Sequence, residues 1–378
     1  TFHERGGRAV QVIHPAGPVL LRQVDVSGLP EAACEEAVAS LGAEETHRPF
    51  DLERGPLFRA VLARMGGGDF ALFLTLHHIV TDGWSTGVLM REISTLYAAL
   101  AKGDDSPLPG LEVQYADYAA WQRAWLTGEV LERQLGYWRG RLAGAPALDL
   151  RTDRPRSPAR GDQADGRSFH LPDELSAVLR ELSRREGCTV YMTLLAGFQA
   201  LLSRHAGHDN VSVGTPVAGR VRRELENLIG FFSNTLVIRT DLSGAPGFRA
   251  LLARVREAVL GAFAHQDFPF ARLVSALRPE CGPGEMPLFQ VVFELDHARA
   301  QPERLRIPSV ELAPLGRLPG DRRTLRSEMR LTMTDDGTRI GGTLAYRTAL
   351  FDPATIERMI GEYLALLQAA AADPDQPV

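Results

Sequence analysis

Residues 74–85, LTLHHIVTDGWS, join a run of apolar residues to a predicted helix. The apolar run at 70–76 is typical of a strand. The apolar residues that follow Trp84 recur three and four positions apart, which predicts a helix packed by one face. Two histidines, His77 and His78, therefore lie where the predicted strand ends.

The polar residues of this stretch have separate predicted roles. Adjacent residues of a strand point to opposite faces, so one histidine ring is expected to face a cleft and the other the interior. His78 is the predicted functional residue. Asp82 and Gly83 follow in a turn, where an acid accepts hydrogen bonds from backbone amides or an arginine and glycine permits close backbone approach. The spacing H-H-x-x-x-D-G thus supplies a base, an anchor and a bare backbone patch.

A pair of histidines followed by an aspartate also raises the question of a metal site. Metal ligands on regular structure usually come from one face, and no matching cluster of Cys, His and Glu appears in the sequence. We therefore expect no metal. A second interpretation stays open for both histidines, and most of all for His77: a core residue whose ring is hydrogen-bonded within the protein.

The motif resembles the HHxxxDG signature of the condensation domains of nonribosomal peptide synthetases, which form peptide bonds between carrier-bound thioesters. Three further stretches resemble motifs of that family and come in the same order. YADYAAW at 115–121 is similar to YxDYAxW, IGFFSNT at 229–235 to IGxFxNT, and HQDFPF at 265–270 to HQDxPF. Four motifs spread over most of the chain identify it as a member of this family.

The resemblance implies an α/β fold of two chloramphenicol-acetyltransferase-like lobes, arranged as a V-shaped pseudo-dimer with the active site in the tunnel between them. Strand and helix signals alternate in each half, which also favours two α/β lobes. The predicted lobes are residues 1–150 and 167–378, and 151–166, rich in Pro, Arg, Gly and Asp, are the predicted linker. The opening residues TF resemble the end of the family motif RHExLRTxF, so the start of the first lobe is expected to be missing.

The resemblance also implies an acyltransferase. A donor acyl or peptidyl thioester would react with the α-amine of an acceptor aminoacyl thioester, and carrier proteins would hold both on phosphopantetheine. We expect His78 to contact the acceptor amine and Gly83 to bring a backbone N–H to the developing oxyanion. Asp82 is expected to hold the loop, through an arginine in the family, and His77 completes the predicted catalytic group.

Five further residues are predicted to contact the substrate: Arg220, Ser233, Asn234, Trp84 and Ser85. For two of them a structural interpretation is equally open, because Asn234 can bridge backbone groups and Arg220 can be a surface arginine. His265 is interpreted as a structural hydrogen-bonding residue. The aromatic residues Tyr115 and Trp121 are interpreted as scaffold.

Composition limits the partners. The formal net charge is -5, with acids and bases mixed along the chain, so neither a nucleic-acid surface nor a membrane patch is expected. The three cysteines are far apart, which favours reduced thiols in a cytoplasmic protein. The resemblance implies donor and acceptor carrier proteins and an adjacent adenylation domain as partners, and no cofactor bound by the domain itself.

Rival functions share the HHxxxD motif. Epimerisation domains and other acyltransferases carry it, but the downstream motifs favour peptide condensation, and a heterocyclisation domain would have an aspartate motif in place of the histidines. A non-catalytic domain that recruits partners also stays open, because Glu285, Met286, Glu328 and Arg330 depart from the family pattern. The sequence leaves the two substrates, the product and the oligomeric state open.

Overall fold

The structure is a computed structural model of the chain, and it describes residues 1–156, 161–278, 286, 288–296, 305–307, 310–313, 315 and 323–377. The helices are, in chain order, α1 Glu31–His47, α2 Gly83–Leu100, α3 Tyr115–Trp125, α4 Gly128–Leu142, α5 Asp173–Arg185, α6 Val190–Ala206, α7 Phe248–Ala264, α8 Phe270–Leu277 and α9 Pro353–Ala372. The strands are β1 Phe2–Arg5, β2 Arg8–Gln11, β3 Leu21–Asp25, β4 Phe58–Gly66, β5 Asp69–Leu76, β6 Gln163–His170, β7 Asn210–Val217, β8 Asn234–Asp241, β9 Val291–Asp296, β10 Leu305–Ile307, β11 Val310–Leu312, β12 Arg323–Thr324, β13 Met329–Asp335 and β14 Ile340–Arg347.

The described residues form two compact units. The first unit comprises Thr1–Tyr115, Arg222–Phe232 and the described part of Glu303–Asp321. The second comprises the described parts of Ala116–Val221, Ser233–Pro302 and Arg322–Val378. Both units contain helices and strands, which confirms the predicted α/β class.

The first unit is built on a three-stranded sheet of order β3-β4-β5. β3 runs parallel to β4, and α1 lies between them in the sequence, since parallel neighbours need a long crossover connection. β4 and β5 form an antiparallel hairpin, and Gly67 and Gly68 in its turn both have positive φ. A small apolar core joins α1 to the sheet: Val26, Cys34, Val38, Ala63 and Ala71.

The register of the β4–β5 hairpin positions the histidines. Leu76, the last residue of β5, pairs with Phe58, the first residue of β4. His77 adds one further bond, because its N–H donates to the carbonyl oxygen of Leu57 at 3.0 Å. The backbone of the first histidine is therefore fixed by the sheet, and the chain leaves the sheet at the second.

The second unit contains a seven-stranded sheet of order β12-β6-β14-β13-β9-β7-β8 in the described part of the chain. The sheet is mixed, because β9 pairs in parallel with both β13 and β7 while the other neighbours are antiparallel. Residues 192–202 of α6 are all buried, and a helix buried on every side lies within a core. Phe198 from this helix packs against Phe293 and Tyr363.

Local signals predicted most of these elements. The chain opens with a hairpin in which β1 and β2 pair around Gly6 and Gly7. The helical stretch from Tyr115 to Leu142 is divided into α3 and α4. The division falls where Gly128 adopts a φ of 51°, a left-handed conformation that interrupts a helix.

The residues that make up the two units differ from the predicted division, which placed the lobes at 1–150 and 167–378 and the linker at 151–166. α4 belongs to the second unit, because Trp138 and Leu142 are buried in its large core. Residues 163–166, predicted as part of the linker, begin β6; Gln163 pairs with β12, and 164–166 pair with β14 inside the sheet. Residues 157–160, also in the predicted linker, lie outside the described residues.

Candidate active site

The predicted motif forms the junction between β5 and α2. β5 ends at Leu76, residues His78–Val80 form one short turn of 3-10 helix, and α2 begins at Gly83. Neither histidine lies within the strand itself, although both directly follow it. His77 is half-buried and His78 is exposed, which agrees with the expected difference between the two rings.

His78 commits one ring nitrogen to a hydrogen bond. Its Nδ1 lies 2.6 Å from the carbonyl oxygen of Thr81. Because a carbonyl oxygen only accepts, Nδ1 carries the proton of this bond, which assigns the tautomer. In the neutral ring Nε2 then holds a lone pair. The ring also makes an edge-to-face contact with Phe231, with centroids 5.1 Å apart.

His77 has a structural environment. Its Nδ1 accepts a hydrogen bond from the backbone N–H of Ile79 at 3.0 Å, which caps the short turn that begins at His78. Its ring meets the ring of Phe50 edge to face, with centroids 5.6 Å apart. These contacts match the interpretation of His77 as a hydrogen-bonded residue of the scaffold.

Asp82 is the N-cap of α2 and is buried. Its Oδ1 accepts from the N–H of Ser85 at 2.8 Å, and its Oδ2 accepts from the N–H of Phe232 at 3.0 Å. A capping carboxylate satisfies an amide of the first helical turn, which otherwise lacks an intrahelical acceptor. Asp82 therefore holds the loop as predicted, through backbone amides, while its predicted arginine partner stays a prediction.

Gly83 is the first residue of α2 and is exposed. A Cβ atom built on Gly83 would meet no atom of the other described residues within 4 Å, its chain neighbours and its own helical turn aside. The N–H of a first helical residue has no acceptor within its helix, and the start of a helix carries partial positive charge. Nothing in the packing of the described residues requires glycine here, and a role of Gly83 at an oxyanion stays a prediction.

Trp84 and Ser85 hold a segment from the other half of the sequence, residues 222–232, which we name the strap. The indole N–H of Trp84 donates to the carbonyl oxygen of Glu226 at 2.8 Å. Ser85 is completely buried; its hydroxyl donates to the carbonyl oxygen of Gly230 and accepts from the N–H of Gly230. The prediction that Ser85 contacts substrate is therefore wrong, because both functions of the hydroxyl are used inside the protein.

Further contacts fasten the strap within the first unit. Arg91 donates to the side-chain oxygen of Asn227 at 2.9 Å, and the Tyr115 hydroxyl donates to the carbonyl oxygen of Phe231 at 2.9 Å. A Cβ on Gly230 would lie only 2.3 Å from the ring of Tyr115. The lack of a side chain at Gly230 makes room for the Tyr115 ring, so Tyr115 of the YxDYAxW motif acts as scaffold, as predicted.

Asn234 lies at the start of β8 in the second unit, where it bridges backbone groups. Its amide nitrogen donates to the carbonyl oxygens of Gln266 and Phe268, both at 2.8 Å, and its side-chain oxygen accepts from the N–H of Phe270 at 2.9 Å. Asn234 thus joins the IGxFxNT motif to the HQDxPF motif. These bonds confirm the structural alternative, and contact of Asn234 with a substrate stays a prediction.

Arg220 and Ser233 are the other two residues of the second unit that were predicted to contact the substrate. Arg220 follows β7, is half-buried and donates to the carbonyl oxygen of Ala218 at 3.3 Å. Ser233 is half-buried at the point where the chain enters the second unit. Contact of either residue with a substrate stays a prediction.

Two more features of the second unit are structural. His265 donates from Nδ1 to the carbonyl oxygen of Gly261 and stacks on Tyr137 with centroids 3.9 Å apart, which agrees with its predicted structural role. Glu328, which departs from the family pattern, forms a two-bond ion pair with Arg156 at 2.6 and 3.0 Å. This hydrogen-bonded pairing raises the pKa of Arg156.

The described cysteines and helices add little to the functional assignment. Cys34 and Cys188 are free thiols, burial raises the pKa of Cys188, and Cys281 and Glu285 lie outside the described residues. Within the described ranges, no group of three or more His, Cys, Asp and Glu side chains is arranged to hold a metal ion. In the same part of the chain, no helix is long and apolar enough to span a membrane.

Comparison with known proteins agrees with this geometry. The family model described as Condensation domain matches residues 1–378. The chain belongs to the condensation-domain family. The condensation domain has its HHxxxDG histidines at the end of β5, as the sequence predicted, and amide-bond formation is the general reaction of this family.

The curated relatives are multidomain synthetases. One of the linear gramicidin synthase proteins of Brevibacillus parabrevis is 48% identical over 379 residues, which cover 100% of this chain and 5% of that protein. Phosphinothricin tripeptide synthetase PhsC of Streptomyces viridochromogenes is 44% identical over 375 residues, which cover 99% of this chain and 34% of that protein. The chain therefore spans a small part of these relatives, as one domain of a nonribosomal peptide synthetase does.

A solved structure confirms the fold. The X-domain from teicoplanin biosynthesis is 26% identical and matches with a TM-score of 0.85, covering 100% of this chain and 84% of that chain. The X-domain is also solved in a complex with OxyB. The α/β architecture of the condensation domain is thus shared with a domain of another biosynthetic system.

Two groups that contact His78 were not predicted from the sequence. The carbonyl oxygen of Thr81 fixes the tautomer, and the ring of Phe231 contacts the imidazole from 153 positions further along the chain. The backbone carbonyl has no signature in a sequence. The only sequence signal for Phe231 is its place within the recognised IGFFSNT stretch, because its exposure beside a buried Phe232 is seen in the structure alone.

Proposed function

We propose that this condensation domain joins a donor acyl or peptidyl thioester to the α-amine of an acceptor aminoacyl thioester. Family membership supports the general reaction, amide-bond formation. The observation that carries the finer proposal is the hydrogen bond from His78 Nδ1 to the carbonyl oxygen of Thr81. It leaves Nε2 of an exposed ring as a proton acceptor beside the start of α2.

The proposed reaction is an acyl transfer from sulfur to nitrogen. The acceptor nitrogen attacks the donor carbonyl carbon, the C–N bond forms, and the C–S bond breaks to release the donor thiol. The amine proton passes to His78 Nε2 and then to the departing sulfur. A free α-amine has a pKa of about 8, so forming the neutral amine near pH 7 costs only about 1 kcal/mol.

His78 contributes more by acting in the transition state than by deprotonating the free amine. A positioned general base typically gives about 100- to 10,000-fold. Holding the amine in line with the donor carbonyl contributes at least as much in well-oriented reactions. Both effects need an imidazole of fixed orientation, which the hydrogen bond to Thr81 supports.

Negative charge develops on the carbonyl oxygen of the donor thioester during the reaction, and the start of α2 is proposed to stabilise it. The N–H of Gly83 is the proposed donor, because it lies in the first turn of α2 and a Cβ built on Gly83 would meet no atom of the other described residues within 4 Å. A single oxyanion donor is worth about 100- to 1,000-fold in other enzymes. Asp82 does not transfer protons in this scheme, since it is buried and accepts from the amides of Ser85 and Phe232.

The substrates are proposed to arrive on carrier proteins. The relatives are multidomain synthetases, which supports donor and acceptor carriers and an adjacent adenylation domain as partners. The phosphopantetheine arms belong to the carriers, so they are part of the substrates. Arg220 and Ser233 are the proposed contacts of these arms in the second unit.

Single-turnover transfer tests this proposal. The donor carrier is loaded with an acyl thioester, the acceptor carrier with an aminoacyl thioester, and the mass of the intact acceptor carrier is followed with and without the condensation domain. We expect the acceptor to gain the mass of the donor acyl group only when the domain is present. An acceptor that keeps its mass while both carriers bind the domain would contradict the proposal.

A second candidate function is recruitment of a partner protein without catalysis. The similarity to the X-domain favours it, because that domain is solved in a complex with another protein. The motif argues for catalysis instead, since His78 is present and hydrogen-bonded in the tautomer that a base requires. Binding without transfer in the assay would select this second candidate.

A further inference from the structure

We propose that Phe231 is a positioning residue for His78 and forms an apolar wall beside the acceptor amine. The inference rests on the proposed amide-forming function. Ser233 and Asn234 of the IGFFSNT stretch were predicted to contact the substrate. Phe231 lies in the same stretch and had no predicted role. The argument has three parts: the backbone of Phe231 is fixed, its ring contacts His78, and its ring is exposed.

The backbone of Phe231 is fixed by hydrogen bonds on both sides. Its own carbonyl oxygen accepts from the Tyr115 hydroxyl at 2.9 Å. Gly230 before it is joined to the hydroxyl of Ser85 through both its N–H and its carbonyl oxygen. Phe232 after it donates its N–H to Asp82 at 3.0 Å. None of these bonds involves the side chain of Phe231, so the position of the ring follows from the strap.

The ring supplies a restraint that the hydrogen bond of His78 does not. A bond from Nδ1 to Thr81 fixes the tautomer, but the imidazole can still tilt about the axis of that bond. The ring of Phe231 lies 5.1 Å from the imidazole centroid at an interplanar angle of 81°. A second contact in a different direction removes this tilt, and the direction of the Nε2 lone pair becomes fixed.

Phe231 also faces outward. Its side chain is 41% exposed, whereas the neighbouring Phe232 is 4% exposed and packs edge to face on Tyr115. An α-amine that reaches Nε2 brings its α-carbon and the start of its side chain close to the imidazole and its neighbour. The exposed part of the Phe231 ring then contacts an α-aminoacyl thioester at these apolar groups.

The test compares Phe231→Ala with Phe231→Tyr in the single-turnover assay. The alanine variant keeps every hydrogen bond of the strap, so we expect it to fold. Loss of one edge-to-face ring contact is expected to lower the rate constant of transfer by about 2- to 13-fold. The acceptor concentration that gives half of the maximal rate is expected to change less. Tyrosine retains the ring and is expected to stay within about twofold of the parent.

The control is Phe70→Ala, which removes an exposed phenylalanine at the opposite end of β5 from the histidines. We expect it to transfer at the parent rate. Equal rates for Phe231→Ala and the parent would overturn the proposal. Equal losses in the alanine and tyrosine variants would also overturn it, because the ring would then not be the cause.

A readout without substrates separates this inference from the proposed function. Nitrogen chemical shifts of the His78 imidazole report its tautomer, ring relaxation reports its motion, and the His78 signals are identified by their loss in His78→Asn. We expect the Nδ1-protonated form in both proteins, because the bond to Thr81 is kept, and a lower order parameter of the imidazole ring in Phe231→Ala, because the second contact is lost. An unchanged order parameter would overturn the positioning role even if the domain transfers no acyl group.

Discussion

The two adjacent histidines use Nδ1 in opposite ways, since it donates a hydrogen bond in His78 and accepts one in His77. His78 donates from Nδ1 to the carbonyl oxygen of Thr81, so its neutral ring accepts at Nε2. His77 accepts at Nδ1 from the N–H of Ile79, so its neutral ring carries the proton on Nε2. The pair therefore consists of one base and one residue that shapes the turn in front of it.

The proposed place of Gly83 beside the oxyanion can be tested directly by one substitution. Gly83→Ala meets no protein atom within 4 Å, so we expect an intact fold and a melting temperature equal to or slightly above that of the parent. If the donor carbonyl approaches this backbone, the added methyl group obstructs it, and single-turnover transfer falls by about tenfold or more.

Gly361→Ala is the matched control, because Gly361 lies in α9 and a Cβ there also meets nothing within 4 Å. It is expected to leave transfer unchanged. Transfer at the parent rate by Gly83→Ala would remove Gly83 from the oxyanion site.

The sequence predicted residue types at the site better than their partners. Because neighbouring residues leave a strand in different directions, the sequence predicted different surroundings for His77 and His78, although the structure places both just beyond the end of β5. Ser85 and Asn234 were assigned to substrate because they are polar and lie in motifs. Their partners, Gly230 and the stretch 266–270, come from distant parts of the chain, and no local pattern encodes such hydrogen bonds.

Among the elements, α2 and the strap act together. The first turn of α2 supplies Asp82, Trp84 and Ser85, and each of them bonds to a backbone group of the strap. The same turn contains Gly83, and the strap contains Phe231. Two motifs that are about 150 residues apart in sequence therefore share one set of hydrogen bonds.

Removing the Ser85 hydroxyl tests this connection. Ser85→Ala leaves the N–H and the carbonyl oxygen of Gly230 without their buried partner, which costs about 1–3 kcal/mol. We expect faster hydrogen exchange at the Gly230 amide and reduced transfer, with the rest of α2 unchanged.

Ser94→Ala is the control, because Ser94 donates only within α2, to the carbonyl oxygen of Met90. It is expected to leave the strap unaffected. An unchanged exchange rate at Gly230 in Ser85→Ala would show that the serine does not hold the strap.

Elements with regular spacing were predictable and the strap was not. β4, β5 and α2 follow from alternation and helical spacing of apolar residues. The strap has neither, since most of it lies outside helices and strands and it is ordered by partners in the first half of the chain. This is also why the predicted boundary at residue 150 differs from the compact units, which take residues from separated parts of the sequence.

At the scale of the whole molecule, the described residues form two cores of different size. The core of the first unit is small and joins α1 to the three-stranded sheet, whereas that of the second unit surrounds α6 and contains several fully buried aromatic residues. Buried apolar area is the main source of stability, so the second unit is expected to be the more stable of the two.

Core substitutions in the two units test this difference. Phe198→Ala removes a fully buried ring in α6, with an expected loss of about 3–5 kcal/mol in the second unit. Val38→Ala removes less from the small core of the first unit, about 1–3 kcal/mol. We expect each change to accelerate hydrogen exchange mainly within its own unit, and equal acceleration throughout by both would show a single cooperative molecule.

The central claim, that Nε2 of His78 takes the proton of the acceptor amine, is tested most directly by His78→Asn. Asparagine keeps an N–H that can donate to Thr81 but has no basic nitrogen. In single-turnover transfer with loaded carriers, this account predicts a loss of about 100- to 10,000-fold in His78→Asn, with α2 as protected from hydrogen exchange as in the parent. Transfer by His78→Asn at a rate close to that of the parent would contradict the claim.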